Sequence, residues 1–206
     1  MAKTPKGYGG RPAYGNEYDL STGCRRCGTG ARRVSPLYLK ASDLSGDASR
    51  NVVETGAGEI LIHVTVADAF RAQAVTAELH EVRRHTDGRR LPWFHLSSQV
   101  TLPPRSARTE GGARENPCAL CDRDGYFDSL ASPLRLAYER EALPPEPLDV
   151  ALTWEAYGNS WLEPPSVRHV EGPRFAQPLV LVSERVASML RSLGVRHLTF
   201  DEVRVI

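Results

Sequence analysis

The chain has 206 residues, a length that suits one large domain or two small ones. Its 26 Lys and Arg nearly balance its 25 Asp and Glu, for a formal net charge of +1, which argues against a nucleic-acid coat protein or a polybasic membrane binder. No apolar run reaches the roughly 18 residues that cross a bilayer, and the first residues lack an apolar signal-peptide core. We therefore predict a cytoplasmic globular protein with no membrane partner.

The first distinctive pattern in chain order is a C-x-x-C turn, Cys24-Arg25-Arg26-Cys27-Gly28. Two intervening residues let both thiolates reach one metal ion at about 2.3 Å from a tight turn. In a reducing compartment such a pair is more typical of metal binding or redox chemistry than of a structural disulfide. Four arginines lie in and after this turn: Arg25, Arg26, Arg32 and Arg33. They predict either a surface that grips phosphates or a partner's carboxylates, or an ordinary solvated face.

The next predicted elements form a strand–helix–strand unit. Residues 59–64 (EILIHV) are typical of a short buried strand. Thr65 is a candidate N-cap for a helix with one apolar face, and residues 75–83 predict a second strand. Residues 91–100 then predict an aromatic-rich strand, in which His95 lies beside Trp93 and Phe94 and either packs there or lines a pocket.

Residues 103–117 (PPRSARTEGGARENP) contain almost no apolar side chain and predict an exposed loop. A second C-x-x-C follows directly, as Cys118-Ala119-Leu120-Cys121-Asp122. Two such turns supply the four thiolates of a closed, tetrahedral structural zinc site. The metal ligands are then Cys24, Cys27, Cys118 and Cys121.

The long separation of the two cysteine pairs is compatible with one shared ion. Ninety residues lie between them, and closing such a loop costs on the order of 4 kcal/mol, whereas a structural zinc site returns roughly 10–16 kcal/mol. The alternatives are a redox dithiol or disulfides, or unoccupied or mixed Cys/His sites. The redox alternative lacks the helix N-terminus that would activate a thiolate.

An aromatic segment follows a strand-like stretch at residues 148–152. It carries three aromatic side chains around a Gly-Asn turn: Trp154, Tyr157 and Trp161. These predict either a recognition surface or a hairpin that supports the core.

The C-terminal region predicts a second strand–helix–strand unit. Residues 178–182 (PLVLV) form the strand, Ser183 is the N-cap, Gly194 ends the helix, and residues 195–206 form the last strand. A shift of 120 residues aligns this unit with the first, and in both copies the apolar alternation slips by one near the end, which predicts a β-bulge.

Together these patterns predict an α+β fold with mixed β-sheets, few short helices, a duplicated strand–helix–strand unit and a zinc-ribbon-like four-cysteine site. We expect a single domain, 1–206, built of two related halves of about 1–102 and 118–206 that are joined by the loop 103–117.

The paired C-x-x-C turns and the C-terminal sequence LVSERVASMLRSLGVRHLTFDEVRV resemble the double-CXXCG motif proteins of myxobacteria. That family is described as Sit-type immunity proteins, which protect a cell from lipoprotein toxins passed between siblings by outer-membrane exchange. The first turn matches the family pattern in full, and the second has Asp122 in place of Gly. The resemblance implies a cognate protein toxin as partner and no catalytic residues.

The leading hypothesis is thus an immunity-type protein with a structural zinc site. It would contact its toxin through the four arginines or the segment 154–161. The alternatives are a zinc-ribbon nucleic-acid-binding module, which the balanced charge disfavours, and an enzyme with a pocket near His95 and Trp154.

Overall fold

The computed structural model describes residues 15–40, 44, 51–55, 58–114, 117–127, 133–157, 176–195 and 198–206. Its two α-helices are α1 (Val64–Ala72) and α2 (Glu184–Ser192). Its strands are β1 (Tyr18–Asp19), β2 (Arg32–Arg33), β3 (Leu37–Leu39), β4 (Val52–Glu54), β5 (Ile60–His63), β6 (Glu78–Arg84), β7 (Arg90–Ser97), β8 (Ala113–Arg114), β9 (Tyr126–Phe127), β10 (Ala137–Tyr138), β11 (Val150–Tyr157), β12 (Gln177–Val182) and β13 (Arg204–Val205). The predicted α+β class with mixed sheets and short helices is confirmed.

The first half of the chain forms a five-stranded sheet in the order β3-β6-β7-β5-β4. β7 lies at its centre and is antiparallel to both β5 and β6, whereas β3 is parallel to β6. The register of β6 on β7 shifts between Glu81 and Arg83, so the bulge predicted for the first unit is present. It lets the apolar alternation change phase without moving Val82, which is fully buried, out of the core.

The second half is split between a four-stranded sheet, β12-β11-β9-β8, and the two-stranded parallel pair β10-β13. The described part of the segment 103–117 hydrogen-bonds along this half. The Ser106 N–H donates to the Ala137 carbonyl at 2.8 Å, and the Arg105 N–H donates to the Glu155 carboxylate at 2.9 Å. Most of its side chains are exposed, as predicted, but its backbone is held by the second half.

The two helices begin and end at matching positions. Ser183 is the N-cap of α2, as predicted, and its hydroxyl accepts from the Val186 N–H at 3.2 Å. The predicted cap of α1 at Thr65 is wrong by two residues. His63, with extended backbone, is the cap, and its ring accepts from the Thr65 N–H at 3.4 Å.

The C-terminal turns of the two helices repeat each other hydrogen bond by hydrogen bond. The Val75 N–H donates to the Phe70 carbonyl at 2.9 Å, and 120 residues later the Val195 N–H donates to the Leu190 carbonyl at 3.2 Å. A left-handed residue closes both turns. The first copy has Ala74 there, at φ 48°, and the second copy has Gly194, at φ 67°.

The strands before the helices repeat each other as well. The Glu59 N–H donates to the hydroxyl of Thr55, and the Leu179 N–H donates to the hydroxyl of Thr153. β4 and β5 pair as Val52↔Ile62, and β11 and β12 pair in the matching register as Val150↔Val182. The parallel pair β3-β6 likewise has its counterpart in β10-β13. These matched contacts support the predicted duplication.

The third strand of the second unit departs from the prediction. Residues 195–206 were expected to form a strand, but within their described part only Arg204–Val205 does so, paired with β10. In the first unit, β6 is paired along its length because β7 lies beside it. The structure describes no strand beside residues 199–203, and the second predicted bulge is not seen among the described residues.

Both helices share one hydrophobic core. Phe70 of α1 and Leu190 of α2 belong to the same buried cluster as Ile62 and Phe94 of the first sheet. Asp149, in the second half, accepts a hydrogen bond from the Thr76 N–H of the first at 2.9 Å. The halves therefore pack as one body. Among the described residues no helix is both long and apolar enough to cross a membrane.

Candidate metal centre

The first cysteine turn, residues 24–28, is a tight loop closed by backbone hydrogen bonds. The Gly28 N–H donates to the Cys24 carbonyl at 2.7 Å, and the Cys24 N–H donates to the Thr29 carbonyl at 2.9 Å. Gly28 has a φ of 70°, which a residue without Cβ adopts at no steric cost. Both sulfurs are thus held on the same side of the turn.

The second cysteine turn, residues 118–122, has the same geometry with different chemistry. The Asp122 N–H donates to the Cys118 carbonyl at 3.1 Å, and Asp122 takes the left-handed conformation at φ 58° that Gly28 takes in the first turn. Aspartate tolerates this region better than most residues, and its carboxylate pairs with Arg114. The absence of glycine at position 122 therefore does not change the shape of the turn.

The fold brings the two turns together at one point. The ligand atoms of all four cysteines lie within 4.8 Å of one another. Across the two turns, Sγ of Cys24 is 3.9 Å from Sγ of Cys118, and Sγ of Cys27 is 3.6 Å from Sγ of Cys121. All four are free thiols. The cluster can hold a metal ion, with two ligands supplied by each half.

Burial and hydrogen bonding perturb these thiols in different directions. Burial raises the pKa of Cys27 and raises that of Cys121 to about 11. Burial also acts on Cys24, but backbone N–H groups of the turn point at its sulfur and lower its pKa to about 7. At neutral pH Cys27 and Cys121 are therefore protonated without a cation, and binding a metal ion to them would release protons.

Three residues that the sequence analysis did not single out support the cluster. The Cys118 N–H donates to the fully buried carboxylate of Asp124 at 2.6 Å. The Thr29 hydroxyl lies 3.2 Å from Sγ of Cys27. Arg123 donates from Nε to the Trp154 carbonyl at 2.9 Å, and its guanidinium lies next to Gly30, two residues after the first cysteine turn. Their position, two or three residues after the last cysteine of each pair, is a signal that could have identified them.

The four predicted partner-binding arginines fall into two groups. Arg25 and Arg26 are exposed in the first cysteine turn, and Leu120 in the second cysteine turn is 47% exposed. Arg32 forms an ion pair with Glu78 at 3.2 Å, and Arg33 hydrogen-bonds the His95 ring at 2.7 Å. The second pair thus ties strand β2 to the five-stranded sheet.

The aromatic candidates lie in the body of the protein. Tyr157 is only 8% exposed and packs on Tyr126 with ring centroids 5.8 Å apart. Trp154 is half-buried, and the Arg123 guanidinium lies 5.4 Å from its ring centroid. Trp161 lies outside the described residues. Tyr157 therefore packs in the core, whereas partner binding by this segment stays a prediction.

The pocket proposed near His95 and Trp154 draws its residues from two different sheets. His95 is in β7 and stacks on His80 of β6, with ring centroids 5.9 Å apart. Burial, followed by the nearby charge of Arg33, lowers the pKa of His80, while Glu78 opposes that shift. These histidines belong to a polar network that anchors β2, whereas Trp154 belongs to the anchor of the second cysteine turn.

Comparison of the chain with known protein families, with characterised proteins and with solved structures found no match. The fold and the site define the protein as an α+β protein with a four-cysteine double turn that can hold a metal ion.

Proposed function

We propose that the protein is an immunity-type protein whose four cysteines hold one structural zinc ion and whose surface binds and neutralises a cognate protein toxin. The sulfur geometry supports the choice of zinc. A tetrahedron with metal–sulfur bonds of about 2.3 Å has edges of about 3.8 Å, and the sulfur pairs across the turns are 3.6 and 3.9 Å apart. Four soft thiolates in such a cage favour zinc over harder or octahedral cations.

A zinc ion with four thiolates has no open coordination position, so its role is to fasten the structure. The ion would join the N-terminal segment to the second half, across 90 intervening residues. Four thiolates on a divalent ion leave two negative charges. Arg25 and Arg26 in the first turn and Arg123 after the second are placed to offset them.

The surface that supports toxin binding lies at the tips of the two cysteine turns. The fold brings the two turns together; Arg25 and Arg26 are exposed in one and Leu120 in the other, a combination of cations and an apolar anchor that fits an acidic patch with an apolar centre. The rigid centre beneath them would hold this surface in one conformation. The identity of the partner as a toxin rests on the resemblance to the double-CXXCG family.

Two measurements test this proposal. Elemental analysis of the purified protein should find about one zinc per chain, from the four-ligand count of a structural site. Co-expression with the toxin encoded by a neighbouring gene should restore growth. Failure of rescue with every neighbouring toxin would contradict the immunity role, and absence of zinc would contradict the metal assignment separately.

A charge-reversal pair identifies the surface. Arg25→Glu with Arg26→Glu should weaken rescue, whereas Arg108→Glu with Arg140→Glu changes two other exposed arginines by the same net charge and should leave it intact. Equal loss in both double variants would show that net charge, and not the turn surface, is what matters.

A further inference from the structure

The internal repeat shows one place where the first half has a strand and the described part of the second half has none. β5 is flanked by β4 and β7, and its Leu61 and Ile62 are 0% and 1% exposed. β12 is the counterpart of β5, yet among the described residues it pairs only with β11. Its Leu181 and Val182, the counterparts of Leu61 and Ile62, are only half-buried.

Within the described part of the chain, β12 is paired along one backbone edge and has no strand along the other. The N–H groups of Leu179 and Ser183 point toward β11, where they donate to Thr153 and Asp149. Because direction alternates along a strand, the N–H and C=O groups of Val180 and Val182 point the other way. No described strand takes up these groups.

The repeat places a second edge next to this position, and Phe200 borders the same core cluster as Val180 and Val182. Residues 199–203 hold the place that β6 holds in the first half, and β6 is bonded there to β7. The hydrogen bond from the Ile206 N–H to the Tyr138 carbonyl, at 3.0 Å, matches that from the His85 N–H to the Leu39 carbonyl, at 2.9 Å. The two segments therefore match at this hydrogen bond, and no described strand lies between the two edges.

We propose that this slot, between Val180–Val182 of β12 and residues 199–203, accepts one extended segment of a partner protein. The segment adds as a strand antiparallel to both edges, as β7 does between β5 and β6. That the partner is the toxin rests on the function proposed above. An unpaired row of backbone N–H and C=O groups, flanked by apolar side chains, is the kind of surface that pairs with a strand from another chain.

The lining of the slot specifies the chemistry of the incoming strand. Val180 and Val182 border the shared core on one face, and Leu181 and Val203 border the second cluster on the other, so side chains on both faces of the strand should be apolar. In the first half, Arg90 of β7 pairs with Glu81 at 3.4 Å. Glu202 is the exposed counterpart of Glu81, so the strand should carry a basic residue at its start.

The side chain of Phe200 can report whether a strand occupies the slot. Arg71 of α1 stacks on Phe94 of β7, 4.8 Å from the ring centroid. Its counterpart Arg191 stacks instead on Phe200, at 5.1 Å. The ring of Phe200 thus makes the contact that the ring of Phe94, from the central strand β7, makes in the first half. The environment of the Phe200 ring should therefore change when a strand enters the slot.

The test uses the full-length, zinc-loaded protein and a synthetic peptide with the sequence of residues 88–99 (GRRLPWFHLSSQ), which fills the corresponding place in the first half. In isotope-labelled protein the amides of Val180 and Val182 should exchange quickly, whereas the Ile62 amide is protected by β7. Adding the peptide should slow exchange at Val180 and Val182 at least ten-fold and shift the Phe200 ring signals. A peptide of scrambled sequence should do neither.

Variants locate the binding edge. Val180→Pro removes an outward N–H that the ladder to β11 does not use, as Pro178 already does, and should weaken peptide binding at least ten-fold. The matched control Val180→Thr keeps the N–H and should bind within two-fold of wild type. Glu202→Gln should weaken binding roughly two- to five-fold, as expected for an exposed ion pair. Equal binding by Val180→Pro and Val180→Thr, no binding by wild type, or binding without protection of these amides would overturn the proposal.

Two further outcomes separate this inference from the proposed function. Self-association that Val180→Pro abolishes would assign the slot to a second copy of the chain and overturn the partner-strand assignment. Toxin rescue by wild type and Val180→Pro alike would show that the slot is not the toxin site while the immunity function stands. Peptide binding without any rescue would retain the slot and contradict the immunity function.

Discussion

A double-mutant cycle across the two cysteine turns tests whether one ion joins the two halves. Cys27 and Cys118 belong to different turns and are both 2% exposed. If they bind the same ion, Cys27→Ser alone or Cys118→Ser alone already removes most of the binding free energy. The double variant then loses little more, because there is no site left to weaken.

The magnitude follows from the metal free energy and the packing. A structural zinc site supplies roughly 10–16 kcal/mol, of which about 8 kcal/mol is offset at about 1 μM free zinc. Closing the 90-residue loop costs on the order of 4 kcal/mol. Folding of the shared core already closes this loop, so the closure adds no further cost to metal binding. Each single variant should therefore lose about 2–8 kcal/mol of the free energy of unfolding, and the coupling between the two should be nearly as large.

Urea unfolding in the presence of zinc, with and without a chelator, measures these free energies. Leu120→Ser is the control, because it places the same new side chain on the exposed tip of a cysteine turn and should change stability by less than about 0.5 kcal/mol. Additive losses from Cys27→Ser and Cys118→Ser would refute a shared ion. If the single variants do not fold, unfolding of wild type that is insensitive to the chelator would refute it equally.

Three further predictions concern the repeat and its surroundings. Ala74→Gly should stabilise the protein by about 1 kcal/mol in thermal unfolding, because alanine is strained at positive φ. Gly194→Ala should destabilise it by a similar amount for the same reason. A change of the same sign in both variants would contradict the shared cap geometry. Leu61→Ala should cost about 3–5 kcal/mol in urea unfolding, and Leu181→Ala about 1–2 kcal/mol, because only Leu61 is covered by a central strand; equal costs would mean that β12 is covered too. The pKa of His80 is lowered in the folded protein, so its stabilising contribution is present above the unfolded pKa of about 6.5 and is lost as pH falls below it. His80→Gln should therefore flatten the decline in stability between about pH 6.5 and 5, and an unchanged decline would refute this assignment.

Elements with strong local signals were predictable from sequence. The serine cap and the terminal glycine of α2 are short-range features, since a side chain bonds to an N–H three residues away and a residue without Cβ closes the last turn. The cap of α1 was misplaced because Thr65 is the commoner capping residue, while His63, two residues earlier, has the extended backbone that a cap requires. The ligand set could also be chosen from spacing alone, because C-x-x-C turns are local.

What the sequence by itself determined is therefore the local inventory: two metal-binding turns, two capped helices and a period of 120 residues between their units. Only the tertiary structure decided that thiols with 90 or more residues between them meet within 4.8 Å, that Arg32 and Arg33 bond to the five-stranded sheet while Arg25 and Arg26 remain exposed, and that no described strand pairs with residues 199–203. The physical reason is that a β-strand forms only where an adjacent strand takes up its backbone hydrogen bonds. Residues 78–84 and 199–205 have similar patterns, but only the first has β7 to pair with.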